Sequence, residues 1–220
     1  MIKTVILSLI SMVFAASTDH SQDHFFDAFA KAAQHSQKRI LIERDHIEQI
    51  PLNTTSSRNL KWIEATAKKY KVNVCSQFDG ACKTALLEKV NIVPTSMTLA
   101  QAAIESGYGQ SRFAKEGNAY FGQWCFESQC GLQPINPNPK RAFFAVKSYP
   151  SMSASIDDYM LNLNRHPAYA EFRSKRKLFL SHQIGLLQLP PTLIAYSKQR
   201  QQYVKKLNYM LIHYDLKRYD

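Results

Sequence analysis

Helical periodicity runs through most of this 220-residue sequence, and it is interrupted most clearly over residues 117–149. That stretch holds Pro134, Pro137 and Pro139, two cysteines and an FFAV run, a composition typical of loops and a short hairpin. On both sides of it, apolar residues recur three and four positions apart. The sequence therefore predicts a mainly α (α+β) fold: a helical body and a small loop and β-hairpin lobe that together form a cleft.

The apolar spacing also locates the individual helices of the body. Two helical runs lie between Phe25 and Pro51, and they are followed by helices over residues 60–70, 84–89, 156–163 and 196–214. A further helix is expected after Pro94, with Thr95 or Ser96 as its N-terminal cap and Gly107 as its stop signal.

The first 17 residues have the plan of a secretory signal peptide. Lys3 precedes an apolar run over residues 4–14, and small residues follow at 15–17. The alternative is that this segment is the first helix or strand of the fold. With a signal peptide, residues 18–220 form a single domain with an N-terminal helical extension, exported to the periplasm or the cell exterior. No stretch reaches the ~18 apolar residues of a membrane-spanning helix, so no transmembrane segment is expected after cleavage.

The four cysteines fall into two close pairs, Cys75 with Cys82 and Cys125 with Cys130. In an exported chain this arrangement predicts two disulfides that each close a short local loop. A four-cysteine zinc site is the alternative, although no CxxC spacing supports it. We expect no metal.

The chain is basic, with 28 Lys+Arg against 17 Asp+Glu and a net charge of +11. Such a surface favours anionic polymers, and in an exported protein these are cell-wall polymers or lipid headgroups rather than nucleic acid. A solvated basic face without a charged partner remains open. No Gly-rich phosphate loop, GxSxG elbow or HExxH motif occurs, so we expect no cofactor.

Glu105 occupies the last turn of the helix expected after Pro94, where the partial negative charge of the helix end disfavours a carboxylate. Its pKa should therefore be raised, as a general acid near neutral pH requires. The alternative is a surface glutamate paired with Arg112. Glu127 is the only acidic residue between 117 and 156 and so the only lobe candidate for a second carboxylate, unless it is merely solvated in the CFESQC loop.

Aromatic and amide side chains concentrate around the predicted lobe, and they suit the apolar faces and polar groups of sugars. Some of these aromatic rings would instead pack in the core. The candidate sugar-binding residues are Tyr108, Asn118, Tyr120, Phe121, Gln123, Trp124 and Tyr149.

The run VPTSMTLAQAAIESGYGQSRFAKEGNAYFGQWCF closely resembles the glucosaminidase domain of family 73 glycoside hydrolases, in particular its Bax branch. Similarity extends to RILIERDHI, to YPSMSASIDDYMLNLNRHPAYAEFR and to the segment LIAYSKQRQQYVKKLNYMLIHYDL, about residues 25–216. The resemblance implies a lysozyme-like fold and hydrolysis of β-1,4 linkages in peptidoglycan, or in another N-acetylglucosamine-containing polysaccharide, by a monomer that releases N-acetylglucosamine reducing ends. Glu105 matches the family's catalytic acid.

The resemblance leaves the second catalytic group open, because the FFAV hairpin carries no acid and Glu127 lies in the cysteine loop instead. The acetamido oxygen of the substrate is the alternative nucleophile, with Tyr149 or Tyr169 orienting it. Rival functions are a lytic transglycosylase, a wall-binding scaffold without turnover, and a basic nucleic-acid binder; the last is disfavoured because the basic residues of 196–214 alternate with apolar ones, as on an amphipathic core helix.

Overall fold

The computed structural model describes residues 2–73, 75–135 and 143–220, with side chains from residue 21 onward. The predicted signal peptide at residues 1–17 lies outside the described side chains, and two of the lobe prolines, at 137 and 139, lie outside the described residues. Both expectations stay predictions.

The described chain is mainly helical with one small sheet. The helices are α1 (Ile2–Gln49), α2 (Ser57–Tyr70), α3 (Gly80–Lys89), α4 (Thr95–Ser106), α5 (Arg112–Gly117), α6 (Met152–Arg165), α7 (Ala170–Leu180) and α8 (Gln201–His213). The strands are β1 (Trp124–Cys125), β2 (Gly131–Leu132) and β3 (Ala145–Lys147), and single 3₁₀ turns cover Pro167–Tyr169, Leu186–Gln188, Pro190–Leu193 and Leu216–Tyr219. The predicted fold class, a helical body with a small β lobe, is confirmed.

Most helix boundaries follow the predicted segments, with several differences. The two runs before Pro51 form one continuous helix, α1. Helix α3 begins at Gly80, ahead of the predicted start, because the Asp79 side chain accepts a hydrogen bond from the Cys82 N–H at 2.8 Å and caps it. The last helix begins only at Gln201, since Arg200 has a φ of 50° and stands outside it. Helix α7 has no counterpart among the predicted segments.

Helix α4 lies at the centre of the body. Every residue from Thr95 to Ala103 is buried, as expected of a helix enclosed on all sides. It packs against α1, α8 and the 3₁₀ turn Leu216–Tyr219. Its small residues, Ala100, Ala102 and Ala103, let these neighbours approach closely. Neighbouring elements therefore hold α4 in place on several sides.

The start of α4 is capped differently from the prediction. Pro94 occupies the cap position without a side-chain hydrogen bond, because the helix already includes Thr95 and Ser96. The Asp220 carboxylate takes that role from outside, accepting hydrogen bonds from the Ser96 N–H at 2.9 Å and the Ser96 hydroxyl at 2.7 Å. A carboxylate at a helix N-terminus also interacts favourably with the helix dipole. The prediction of a Thr95 or Ser96 cap is therefore wrong.

The lobe is built on a three-stranded antiparallel sheet with β3 in the middle. Trp124 pairs with Val146 on one side and Gly131 with Lys147 on the other. A Cβ at Gly131 would meet the Val146 carbonyl oxygen at 1.9 Å, so only glycine allows this close strand approach. The Cys125–Cys130 disulfide ties the end of β1 to the residue before β2. These links hold strands of only two and three residues together.

Both predicted disulfides are confirmed: Cys75–Cys82 and Cys125–Cys130. All four cysteines are thereby used, which excludes the four-cysteine zinc site. Among the described residues, no cluster of three or more His, Cys, Asp or Glu side chains could hold a metal ion. Within the same ranges, no helix combines the length and the apolar character needed to cross a bilayer.

We expect Asp220→Ala to destabilise the fold by about 1–2 kcal/mol, because it removes two hydrogen bonds at the start of α4. In a chain of this size that corresponds to a Tm roughly 3–6 °C lower, measurable by thermal unfolding. Ser96→Ala should cost a similar amount, and the double variant little more than either single one. An unchanged Tm in Asp220→Ala would show that this contact does not hold the helix.

Candidate active site

The backbone around Glu105 turns sharply as soon as α4 ends. Gly107 adopts a left-handed conformation with φ of 58° and its N–H bonds to the Ala103 carbonyl, which terminates the helix as predicted. The Ser106 hydroxyl donates to the Ala102 carbonyl at 2.6 Å and accepts from the Gly109 N–H at 2.8 Å. This turn fixes the position of Glu105 relative to the buried helix that carries it.

Four tyrosines surround the Glu105 carboxyl group. They are Tyr159, Tyr169, Tyr196 and Tyr203, and the Glu105 charge contributes to raising the pKa of each of them. Their rings form one packed cluster, with Tyr196 stacked on Tyr203 at 5.6 Å between centroids and 6.1 Å from Tyr169. The cluster removes water from one side of the carboxyl group.

This burial raises the pKa of Glu105 above its ordinary value, as the sequence predicts. A hydrogen bond with the Tyr203 hydroxyl and the positive charge of Lys206 act in the opposite direction and moderate the increase. Arg112, the alternative partner expected from sequence, pairs with Glu116 at 3.1 Å instead. Glu105 is thus a carboxyl group that holds its proton more strongly than a solvated glutamate does.

A buried chain of hydrogen bonds reaches Glu105 from the core. The Tyr159 hydroxyl donates to Gln101 Oε1 at 2.6 Å, and Gln101 Nε2 donates to the Tyr203 hydroxyl at 2.9 Å. Because the Tyr203 oxygen already accepts from Gln101, its proton is free to point at Glu105. The three residues come from α6, α4 and α8 and are almost completely buried. Tyr203 is therefore held in place from behind.

The lobe approaches Glu105 at Gly122. A Cβ at this glycine would lie 3.6 Å from Glu105 Oε2, and its φ of 62° is one that other residues rarely adopt. The following residue, Gln123, accepts a hydrogen bond from the Tyr149 hydroxyl, which also lies 2.8 Å from Asp158 Oδ2. The carboxyl group consequently lies between the tyrosine cluster of the body and the backbone of the lobe.

Trp124 offers the most accessible aromatic surface among the candidate sugar-binding residues. Its side chain is 52% exposed, and its ring leans against Phe144 with 5.2 Å between centroids. The Lys198 ammonium lies 5.7 Å from the same ring. Trp124 lies two residues after Gly122, the residue of the lobe that approaches Glu105. An exposed ring therefore lies on the lobe close to the position of Glu105.

The other candidates make contacts within the protein. Phe121 is buried and stacks on Tyr159 at 3.9 Å, and Tyr120 packs edge-on against Phe29. Asn118 ends α5 in a left-handed conformation and donates to the Tyr149 carbonyl at 3.0 Å. Tyr108 packs against Phe25 and Phe26 of α1 and donates to the Tyr214 hydroxyl. These side chains shape the cleft from behind.

Glu127 lies exposed in the loop that the Cys125–Cys130 disulfide closes. Its backbone carbonyl accepts the Cys130 N–H at 3.4 Å. It does not contribute to the Glu105 pKa, whose causes are burial, Tyr203 and Lys206. The structure therefore places the two candidate carboxylates in different environments, one enclosed by tyrosines and one in solvent.

Sequence reasoning did not single out several side chains that define this site. Tyr159, Tyr196 and Tyr203 lie in the segments for which the spacing predicts helices, but the sequence predicts no role for them at the site, nor for Gln101 and Asp158. A signal was present in the apolar face around Tyr196 and Tyr203, which holds two hydroxyl groups that need partners when buried. Their partners come from α4 and the lobe, which only the tertiary structure brings together.

A groove of about 470 Å³ continues from the end of α4 along α8. Ile104, Tyr108 and Met210 give it an apolar base, and Lys205, Lys206 and the exposed Tyr209 border it. Since Ile104 precedes Glu105 and Lys206 influences the Glu105 pKa, the groove adjoins the carboxyl group. A polymer bound across Glu105 would have this basic and aromatic surface next to it.

Comparison with known proteins identifies similarity over most of the chain. Residues 82–216 match a family model named Glucosaminidase, described as mannosyl-glycoprotein endo-beta-N-acetylglucosaminidase. Protein bax from Escherichia coli (strain K12) is 39% identical over 114 residues, which is 52% of this chain and 39% of that protein. The chain thus covers well under two thirds of this relative's length. No solved structure matches.

We expect Glu105→Gln to be more stable than wild type at pH 7. The raised pKa means that the folded state disfavours the ionised carboxylate. Wild-type stability therefore falls as pH rises from the unfolded-state pKa, about 4.3, through the higher folded-state pKa, and an uncharged amide at this position removes the loss. Urea unfolding between pH 4 and pH 8, with Glu127→Gln as the exposed control, would measure the difference. Equal stability of wild type and Glu105→Gln at pH 7 would contradict the burial of the charge.

Proposed function

Because the chain belongs to the Glucosaminidase family of glycoside hydrolases, we propose that it is an endo-β-N-acetylglucosaminidase that cleaves β-1,4 bonds of peptidoglycan. Cleavage releases N-acetylglucosamine reducing ends. The observation that carries this proposal is the Glu105 carboxyl group, desolvated at the end of a buried helix and next to Gly122 of the lobe. The proposal requires neither a metal nor a cofactor.

Glu105 is the general acid in this mechanism. A glycosidic oxygen is a poor leaving group unless it receives a proton as the bond breaks. The raised pKa makes Glu105 retain its proton to higher pH than a solvated glutamate does, and the Tyr203 hydrogen bond stabilises the carboxylate that remains after proton transfer. The buried chain from Tyr159 through Gln101 fixes Tyr203 for this role.

The second catalytic group is best supplied by the substrate. Glu127 is exposed in its disulfide loop, whereas the body side of the site is lined by tyrosines. The acetamido oxygen of the N-acetylglucosamine unit attacks its own anomeric carbon while Glu105 protonates the departing oxygen. Water, deprotonated by Glu105, then opens the cyclic intermediate with retention of configuration. Tyr169, beside Glu105, and Tyr149, at Gln123 of the lobe, are the residues we propose to orient the acetamido group.

Sugar binding follows from the surfaces beside Glu105. The exposed Trp124 ring provides a stacking face for a pyranose, and Gln123 provides an amide for hydroxyl or acetamido groups. The net charge of +11 and the lysines at positions 205 and 206 favour an anionic wall polymer. Together these features support a polysaccharide substrate rather than a small ligand.

Export of the protein is part of the same proposal. Two disulfides are stable in an oxidising compartment outside the cytoplasm, and the N-terminal 17 residues have the order of charged, apolar and small residues found in signal peptides. Peptidoglycan lies in that compartment. The substrate and the predicted location are therefore consistent with each other.

A lytic transglycosylase is the second candidate, and the observation that favours it is that, within the described residues, Glu105 is the carboxyl group that acts on all four tyrosines of the cluster. Such an enzyme also needs a single acid, but the sugar's own 6-hydroxyl replaces water and gives a 1,6-anhydro product. A wall-binding scaffold without turnover would use Trp124, Lys205 and Lys206 to bind the polymer, and Glu105 would have no chemical role. Product chemistry distinguishes all three functions.

We expect digestion of purified peptidoglycan by the wild-type protein to yield N-acetylglucosamine reducing ends, seen as reduced glucosamine after borohydride treatment and mass spectrometry. Glu105→Gln cannot donate the proton, and its rate should fall by at least ~10²-fold while wall binding is retained. Anhydro ends would identify a transglycosylase instead. Binding without cleavage by the wild-type protein would identify a scaffold.

Glu127→Gln is the matched control for this experiment. Because substrate assistance assigns Glu127 no chemical step, this variant should digest peptidoglycan at a rate close to that of wild type. A decrease of ~10²-fold or more in a folded Glu127→Gln protein would instead favour a two-carboxylate mechanism.

A further inference from the structure

A second pocket lies between α1, α3 and α7, on residues that do not take part in the Glu105 site. Its volume is about 510 Å³. Three cationic side chains, Arg44, Arg173 and Lys177, line it together with the single acidic residue Glu88. Thr84 and Ser174 add hydroxyl groups at its wall. The pocket lining therefore carries more positive than negative charge.

The positive charges around this pocket are incompletely neutralised. Arg173 Nε lies 3.7 Å from Glu88 Oε1, and Arg44 Nε lies 3.2 Å from Glu48 Oε1. The adjoining Arg176 is completely buried and donates only to neutral oxygens, which are the Asn164 amide oxygen and the backbone carbonyls of residues 88 and 91. Within the described residues, four cations thus lie near two carboxylates. The cations are Arg44, Arg173, Arg176 and Lys177, and the carboxylates are Glu48 and Glu88; Arg176 and Glu48 lie outside the pocket lining.

This arrangement of arginines destabilises the folded protein when no anion is bound. Burial, followed by repulsion from Arg173 and Arg44, lowers the pKa of Arg176 to about 9. Arg173 and Arg176 are at least nine-tenths buried, and the Nε atom of each lacks a hydrogen-bond partner in the described structure. Unsatisfied buried donors are rare in folded proteins, and each costs about 1–3 kcal/mol. An anion in the pocket would offset the repulsion among these guanidinium groups.

We propose that this pocket binds a phosphate monoester carried by a small molecule such as a sugar phosphate. The excess of two positive charges matches the charge of a phosphate monoester, about −1.5 to −2 at pH 7, better than that of one carboxylate. Guanidinium groups bind phosphate oxygens through N–H donors. The Nη2 groups of Arg44 and Arg173 remain for this contact, since Nη1 of each already donates to backbone carbonyls. A phosphate ion alone would leave most of the 510 Å³ unfilled, so the remainder accommodates the group that carries it. The site is independent of the proposed glycosidase activity.

The test is isothermal titration calorimetry of the full chain with N-acetylglucosamine 1-phosphate, with inorganic phosphate, and with N-acetylglucosamine as the phosphate-free control. We expect saturable binding of the sugar phosphate with a Kd of about 1 mM or tighter, and at least about fivefold weaker binding of the phosphate-free sugar. Tighter binding of inorganic phosphate than of the sugar phosphate would confirm the anion site and overturn the sugar-phosphate assignment.

Lys177→Gln is the informative variant, because Lys177 is exposed and its loss does not disturb the buried arginines. It should weaken sugar-phosphate binding about fivefold or more by removing one charge-assisted contact. Lys175→Gln, on the same helix but outside the pocket lining, should bind as wild type does. Absence of saturable binding up to about 10 mM, or equal weakening in both variants, would overturn the proposal.

Discussion

The hydrogen bonds of Gln101 are the constraint on which the rest of the site depends. This amide is fully buried in the middle of α4, where an unpaired polar group would be strongly destabilising, and it obtains both partners from other helices: Tyr159 of α6 and Tyr203 of α8. Satisfying Gln101 therefore determines how three helices meet. The same arrangement orients the Tyr203 hydroxyl toward Glu105, one turn further along α4. A single structural requirement thus positions the core and the proposed acid together.

The two ends of α4 hold carboxyl groups whose pKa burial raises in both cases, but with different hydrogen-bond partners. At the N-terminus, Asp220 accepts two hydrogen bonds from Ser96 and interacts favourably with the helix dipole. At the C-terminus, Glu105 meets a tyrosine cluster that excludes water, and it receives one hydrogen bond from Tyr203. The hydrogen bonds from Ser96 offset part of the cost of burying Asp220, whereas, within the described residues, Tyr203 is the one hydrogen-bond partner that lowers the pKa of Glu105. A buried carboxyl group with little compensation is expected at a functional site, where stability and reactivity compete.

Local patterns in the sequence predicted much of the fold because the features concerned are themselves local. Helical spacing located most helices, Gly107 predicted the end of α4, and the close cysteine pairs predicted both disulfides. Apolar spacing did not predict helix α7, because Arg173 and Arg176 occupy buried positions where this rule expects apolar residues. The cap of α4 was misassigned because its donor comes from Asp220, far away in sequence. Glu105 was identifiable from its motif, but its tyrosine environment required the tertiary structure.

In the proposed mechanism Glu105 acts as the acid, with a pKa that burial raises and the Tyr203 hydrogen bond lowers in part. The pH dependence of kcat/KM on peptidoglycan fragments, compared between wild type and Tyr203→Phe, tests it most directly, because the alkaline limb reports the proton donor. Without the Tyr203 hydroxyl the carboxylate loses a stabilising hydrogen bond, so the alkaline limb should move to higher pH. Tyr209→Phe, an exposed control on the same helix, should leave it in place. An alkaline limb that stays unchanged or moves to lower pH in folded Tyr203→Phe would contradict the account.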